Sequence, residues 1–107
     1  SKQWTKQYGV NGESNSGNSL TIDSSNNIYI ATGSKLLKYN SNGTKVWDVI
    51  CSNFVCTDVR ASSSNDIYVT GYYFSHNRGQ NEGLDGNTHG GGYDIILVKF
   101  NSDGVKQ

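Results

Sequence analysis

A chain of 107 residues has room for one domain and no more. Its hydrophobic content of 34%, with 13 Gly, no Pro and abundant Ser and Asn, is the composition of many short strands joined by tight turns. Lys plus Arg is 9 and Asp plus Glu is 9, with no run of like charge, so neither nucleic acid nor an anionic membrane is expected as a partner.

The predicted elements follow in chain order. Residues 1–10 carry Trp4 and Tyr8 in a rough alternation and read as a strand. Residues 11–18 are mostly Gly, Ser and Asn and read as a loop. Short strands are expected at 19–23 and 28–32, joined by the polar turn Ser-Ser-Asn-Asn. Residues 35–39 form the next strand and 44–50, with Trp47, the fourth. Between them Asn-Ser-Asn-Gly at 40–43 is a hairpin signal, because Asn-Gly accepts the left-handed backbone that tight turns need. The same order returns at 58–61, 67–70 and 95–100, and Asn-Ser-Asp-Gly at 101–104 copies the earlier hairpin turn. No stretch keeps a helical period over the ten to twelve residues a helix would need. The longest apolar run, 95–98, is too short to span a bilayer, so no membrane insertion is expected.

The repetition is close at residue level. Ser-Ser-Asn-Asn-Ile-Tyr-Ile-Ala-Thr-Gly at 24–33 returns as Ser-Ser-Asn-Asp-Ile-Tyr-Val-Thr-Gly at 63–71. Asn, Asp and Ser bond their own backbone in turns, and branched or aromatic residues favour the pleated surface that follows. An internal repeat of this kind decides the fold before other features do. The expected class is all-β, with two four-stranded antiparallel β-propeller blades in one module spanning 1–107. The blade-like repeats cover about 11–50 and 57–107, and the strand at 1–10 stands apart from both. Lys-Gln recurs at 2–3 and at 106–107, and Trp4 continues the first copy as Trp47 continues Thr44-Lys45-Val46. The N-terminal strand is therefore expected to complete the C-terminal blade, its own or that of a neighbouring copy.

Several motifs resemble a family. Trp-Thr-Lys-Gln-Tyr-Gly at 4–9, Asp-Ser-Ser-Asn-Asn-Ile-Tyr-Ile at 23–30 and Leu-Asp-Gly-Asn-Thr at 84–88 resemble the bacterial β-propeller repeats labelled SBBP. So does Gly-Gly-Tyr-Asp-Ile-Ile-Leu-Val-Lys-Phe-Asn-Ser-Asp-Gly at 91–104. The first unit departs by lacking the Gly-Asn-Thr loop between its second and third strands. The resemblance implies a propeller fold in a large secreted or surface-exposed protein and implies no particular ligand. The absence of Met fits a processed or excised piece.

Catalysis is not expected. Most acids sit in or beside turns, where turn-making explains them. The only arginines are Arg60 and Arg78, and no Gly-x-Ser-x-Gly elbow is present. The stretch 72–93 is the candidate ligand surface. It gathers Tyr72, Tyr73, His76, Asn77, Arg78, Asp85, Asn87 and His89 among glycines, and aromatic faces with polar groups suit carbohydrate or protein ligands. Its Leu-Asp-Gly-Asn-Thr core also has a plain scaffold reading. Asp85-Gly86-Asn87-Thr88-His89 alternates polar side chains but lacks the later bidentate Glu of a helix-loop-helix calcium site. No metal or cofactor is expected. Asn42-Gly43-Thr44 is a formal glycosylation sequon inside a tight turn, where the turn reading is the stronger.

Cys51 and Cys56 are expected to form a disulfide between the two units, which requires an oxidising compartment. Two blades cannot close a ring and would leave an apolar sheet face open to water. The expected partners are therefore copies of the chain itself, three being favoured because some two-blade lectins close six-bladed rings at the level of fold analogy. The expected function is a secreted or cell-surface binding module, lectin-like or protein-binding. The alternative is a purely structural self-assembling block or a fragment of a larger propeller.

Overall fold

The structure, a computed structural model, describes residues 3–9, 16–51, 54–73 and 94–107. Four antiparallel strands form the first sheet in meander order: β1 (Ser19–Ile22), β2 (Ile28–Ala31), β3 (Lys35–Tyr39) and β4 (Lys45–Ile50). Three form the second, again in chain order: β5 (Val55–Ala61), β6 (Ile67–Tyr73) and β7 (Asp94–Phe100). There is no helix among the described residues.

Four turns built to one plan set this meander. In each, a side chain accepts from the amides two and four residues later. Asp23 Oδ1 takes Ser25 and Asn27, and Asn40 Oδ1 takes Asn42 and Thr44. Ser62 Oγ takes Ser64 and Asp66, and Asn101 Oδ1 takes Asp103 and Val105. The residue three places on has a positive φ every time: Asn26 at 67°, Gly43 at 84°, Asn65 at 64° and Gly104 at 83°. Only Gly, Asn and Asp adopt that backbone cheaply. This explains the recurrence of Asn and Gly at matched places in the repeat. The turns also fix register, pairing Ile22 with Ile28 and Ala61 with Ile67.

Register fixes faces, because successive strand residues point to opposite sides. Tyr29, Ala31 and Leu36 of the first sheet are fully buried and form one cluster with Val59, Ile67, Val69, Val98 and Phe100 of the second. The sheets thus meet face to face. Their first strands are also tied side by side: Ala61 N donates to Thr21 Oγ1 at 3.1 Å, and Ser19 Oγ donates to Asp58 Oδ1.

Three sequence expectations need adjustment. Residues 3–9 carry no strand assignment. Among the described residues the second sheet has three strands, and the bridge between Phe100 and Lys106 begins a fourth. That bridge matches the pairing of Tyr39 with Lys45 in the first sheet, so the start has the same register. β5 and β6 are longer than the runs 58–61 and 67–70, because a bulge between Cys56 and Asp58 lets pairing continue to Tyr72. At that bulge Gly71 passes so close to β5 that a Cβ would overlap the Val55 carbonyl oxygen.

Candidate interaction surface

Of the expected ligand residues, the structure describes Tyr72 and Tyr73. They end β6, opposite Ile95 and Asp94 of β7, with Tyr72 exposed and Tyr73 half-buried. His76, Asn77, Arg78, Asp85, Asn87 and His89 lie outside the described residues. The cysteines are described. Both are buried free thiols, with their sulfurs 2.6 Å apart in the crossing from β4 to β5. The Cys51 thiol and nearby amides support a thiolate on Cys56 and bring its pKa down to about 7; that contact and burial push Cys51 up. Among the described residues no group of three or more His, Cys, Asp or Glu is placed to hold a metal ion.

The most developed surface geometry is a contact made twice. In the first instance Trp47, on β4, lies over Gly104 in the last turn, where a Cβ would meet the indole at 3.2 Å. The Trp47 Nε1–H and the Lys38 ammonium both donate to the Ser102 carbonyl, at 3.2 and 2.9 Å. The ammonium also stands 5.4 Å from the Tyr29 ring and 5.9 Å from that of Trp47, a cation held against two aromatic faces. Beneath this group Tyr29 donates to Asp23 Oδ2 at 2.7 Å. Burial works against charge on Asp23, but the Asn27 amide, the Tyr29 hydroxyl and further donors outweigh it and hold the carboxyl below the usual range. Burial, joined by the Asp23 charge, pushes the Tyr29 hydroxyl up.

In the second instance Trp4 lies over Gly43, the counterpart of Gly104, where a Cβ would meet its ring at 3.0 Å. Residues 3–9 thus stand beside the first sheet on the face turned away from the second sheet. Between them and that sheet runs a groove of about 240 Å³, with Trp4 and Tyr8 on one side and Ile28, Ile30, Leu37 and Tyr39 on the other. Tyr8 anchors one end. It donates to Asp48 Oδ2 at 3.4 Å and accepts from the Lys35 ammonium at 2.9 Å, while Lys45 sits 4.8 Å from its ring. The 2.6 Å contact from Lys45 is the main reason the Asp48 carboxyl is held low.

The second sheet presents an outer face with no counterpart of this cover among the described residues. Ile95 and Leu97 are 88% and 72% exposed, with Tyr68 beside them. Lys99 stands 6.0 Å from the Tyr68 ring and 3.7 Å from Asp66. The sequence reading expected an apolar sheet face open to water without naming its residues, and it did not find the groove. The signal was present in the unbroken apolar run at 95–98, since a strand buried on one face alternates and a strand buried on both does not.

Residues 3–31 match SBBP, a β-propeller repeat family. The matched stretch takes in the segment bearing Trp4 and then β1 and β2, so the repeat is phased with its tryptophan segment ahead of the sheet it covers. No curated protein matches the chain.

Proposed function

We propose that the chain is a two-blade β-propeller module that assembles with copies of itself into a ring and works outside the cell as a binding module, lectin-like or protein-binding. The observation that supports this best is the repetition of one contact, Trp47 on Gly104 and Trp4 on Gly43. A unit that offers the same contact at both ends extends head to tail, and such an arrangement closes into a ring or grows as a fibre. Three copies would make six blades, within the usual range of about four to eight. The exposed Ile95 and Leu97 supply a driving force, since covering such a side chain is worth about 1.5–3 kcal/mol. Outside the cell Cys51 and Cys56 would close into a disulfide across the junction of the sheets. The stretch 72–93, which leaves β6 at Tyr72 and Tyr73, is the recognition surface for a carbohydrate or protein ligand.

Light scattering of the 107-residue chain at micromolar concentration tests the assembly, with a mass well above the 11.7 kDa of one copy expected. A stable, well-folded monomer would sink it. A glycan array tests the binding role. Reproducible hits sharing one sugar support a lectin, whereas an assembled ring without hits leaves the structural building block as the reading that the exposed apolar face favours.

A further inference from the structure

The outer face of the second sheet and the groove of the first occupy repeat positions equivalent to two faces that are already packed together within the chain. Aligning the four turns equates Tyr29, Leu36 and Lys38 with Tyr68, Leu97 and Lys99. It also equates Ile67, Val69, Val98 and Phe100 with Ile28, Ile30, Leu37 and Tyr39. Tyr29 and Leu36 share one core with Ile67, Val69, Val98 and Phe100, and Lys38 bonds across to Ser102. The exposed set therefore repeats the donor face of that contact, Tyr for Tyr, Leu for Leu and Lys for Lys. The groove repeats its receiving face with two isoleucines, a leucine and a tyrosine.

We propose that the exposed β6–β7 face of one copy seats in the groove of a second copy and reproduces the sheet-on-sheet contact made within each chain. This rests on the assembly reading above and names its surfaces. Leu97 enters between Ile30, Leu37 and Tyr39 as Leu36 enters the internal core. The Lys99 ammonium, already set against Tyr68 as Lys38 is against Tyr29, reaches the Ser41 carbonyl as Lys38 reaches Ser102. Trp4 of the receiving copy is already in place over Gly43, so the groove is half built before its occupant arrives. The same placement brings residues from Trp4 onward to the outer edge of β7. There Gln107 N donates to the Lys99 carbonyl and the Phe100–Lys106 bridge continues the register of the first sheet. In that register Trp4 stands opposite Lys99, as Trp47 stands opposite Lys38.

The contact is heterologous, so blocking its halves separately has a distinctive outcome. Leu97→Asp charges a side chain that is already exposed and leaves the internal core untouched. Gly17→Arg fills the groove, because a Cβ at Gly17 meets only the Ile30 Cγ2 atom, at 3.8 Å. Light scattering should find each variant at the mass of one copy, with circular dichroism like that of the parent. An equimolar mixture should give a two-copy complex that grows no further, since it holds one intact face and one intact groove. Leu97→Asp or Gly17→Arg assembling as the parent does would overturn the docking surfaces while leaving assembly standing. So would two monomeric variants whose mixture stays monomeric. A monomeric parent would overturn the assembly reading itself. If Gly17→Arg does not fold, Trp4→Ala replaces it on the groove side, at a side chain that is itself 41% exposed, with the same outcomes.

Discussion

The Tyr29 hydroxyl donates to the buried Asp23 carboxylate at 2.7 Å, and the bond joins the first turn of the chain to the core between the sheets. Asp23 also holds the turn itself, through the amides of Ser25 and Asn27 and the side chain of Asn27. Asp23→Ala should therefore cost about 2–3 kcal/mol, because it strands a buried phenol and frees the turn amides together. Tyr29→Phe removes one bond and should cost about 1 kcal/mol. Urea midpoints decide the order; equal losses would show that the turn bonds contribute nothing.

The same carboxylate predicts an acid dependence. Its folded pKa is depressed, so its stabilisation is fully present above the unfolded value of about 3.9 and fades as pH falls through the lower folded value. Asp23→Ala should flatten the loss of stability below about pH 4 in an acid titration of the urea midpoint. Some slope should remain. Asp58 is held low by Ser19 in the first place, and Asp48 by Lys45. A variant with the slope of the parent would show that Asp23 is not a linked group.

Gly43 and Gly104 differ from Asn26 and Asn65, although all four take the same backbone. Each of the two glycines has an indole against it, whereas the Asn65 side chain accepts from Ser24 at 2.9 Å. Asn tolerates the positive φ, so Gly104→Asn separates backbone from packing. It should still cost more than about 1 kcal/mol, because the new side chain must displace the Trp47 ring. Asn65→Gly should cost less. Thermal melts of the two variants check this, and an undisturbed Gly104→Asn would mean that the tryptophan contact is loose.

How much of this was legible in the residues follows from the range of the interactions. The turns were readable because each is closed within five residues by Asp, Asn or Ser and one left-handed Asn or Gly. The sheet-forming runs were readable because strands at 35–39 and 95–100 lie between such turns. The groove was not, since it depends on Trp4 meeting Gly43 across 39 positions of chain with no local signature. The continuation of β6 to Tyr73 was not legible either. It rests on a bulge whose one clue is Gly71, which at sequence level reads as a strand stop.

That glycine yields a sharp contrast. Gly71→Ala places a Cβ on the Val55 carbonyl oxygen, a backbone atom that cannot swing aside. The loss should exceed the roughly 1 kcal/mol of an average substitution and should open the pairing of β5 with β6. Thr32 occupies the matched position in the first sheet, and its hydroxyl bonds with Lys35. Thr32→Ala should cost about 1 kcal/mol. Amide exchange along β5 and β6 reads the difference, and exchange as slow as the parent's across both strands in Gly71→Ala would contradict it.

The cysteine pair gives two forms with different pH behaviour. In the reduced chain Cys56 titrates low, helped chiefly by the Cys51 thiol, while that contact and burial push Cys51 up. For Cys56 the depressed folded value means stability is gained as pH rises from about 7 towards the unfolded value of about 8.5. For Cys51 the raised value works the other way, and stability is lost above the unfolded value, where the unfolded chain sheds a proton that the folded chain keeps. The reduced protein should therefore show a stability maximum between those regimes. Cys51→Ser should weaken the gain by replacing the thiol that faces Cys56. Oxidation to the disulfide removes both titrations and closes a short loop, adding at or below about 2–3 kcal/mol. Urea midpoints from pH 6 to 10, with and without reductant, check the scheme. Thiol titration of the denatured, non-reduced chain fixes which form is present, and identical profiles for the two forms would contradict the linkage.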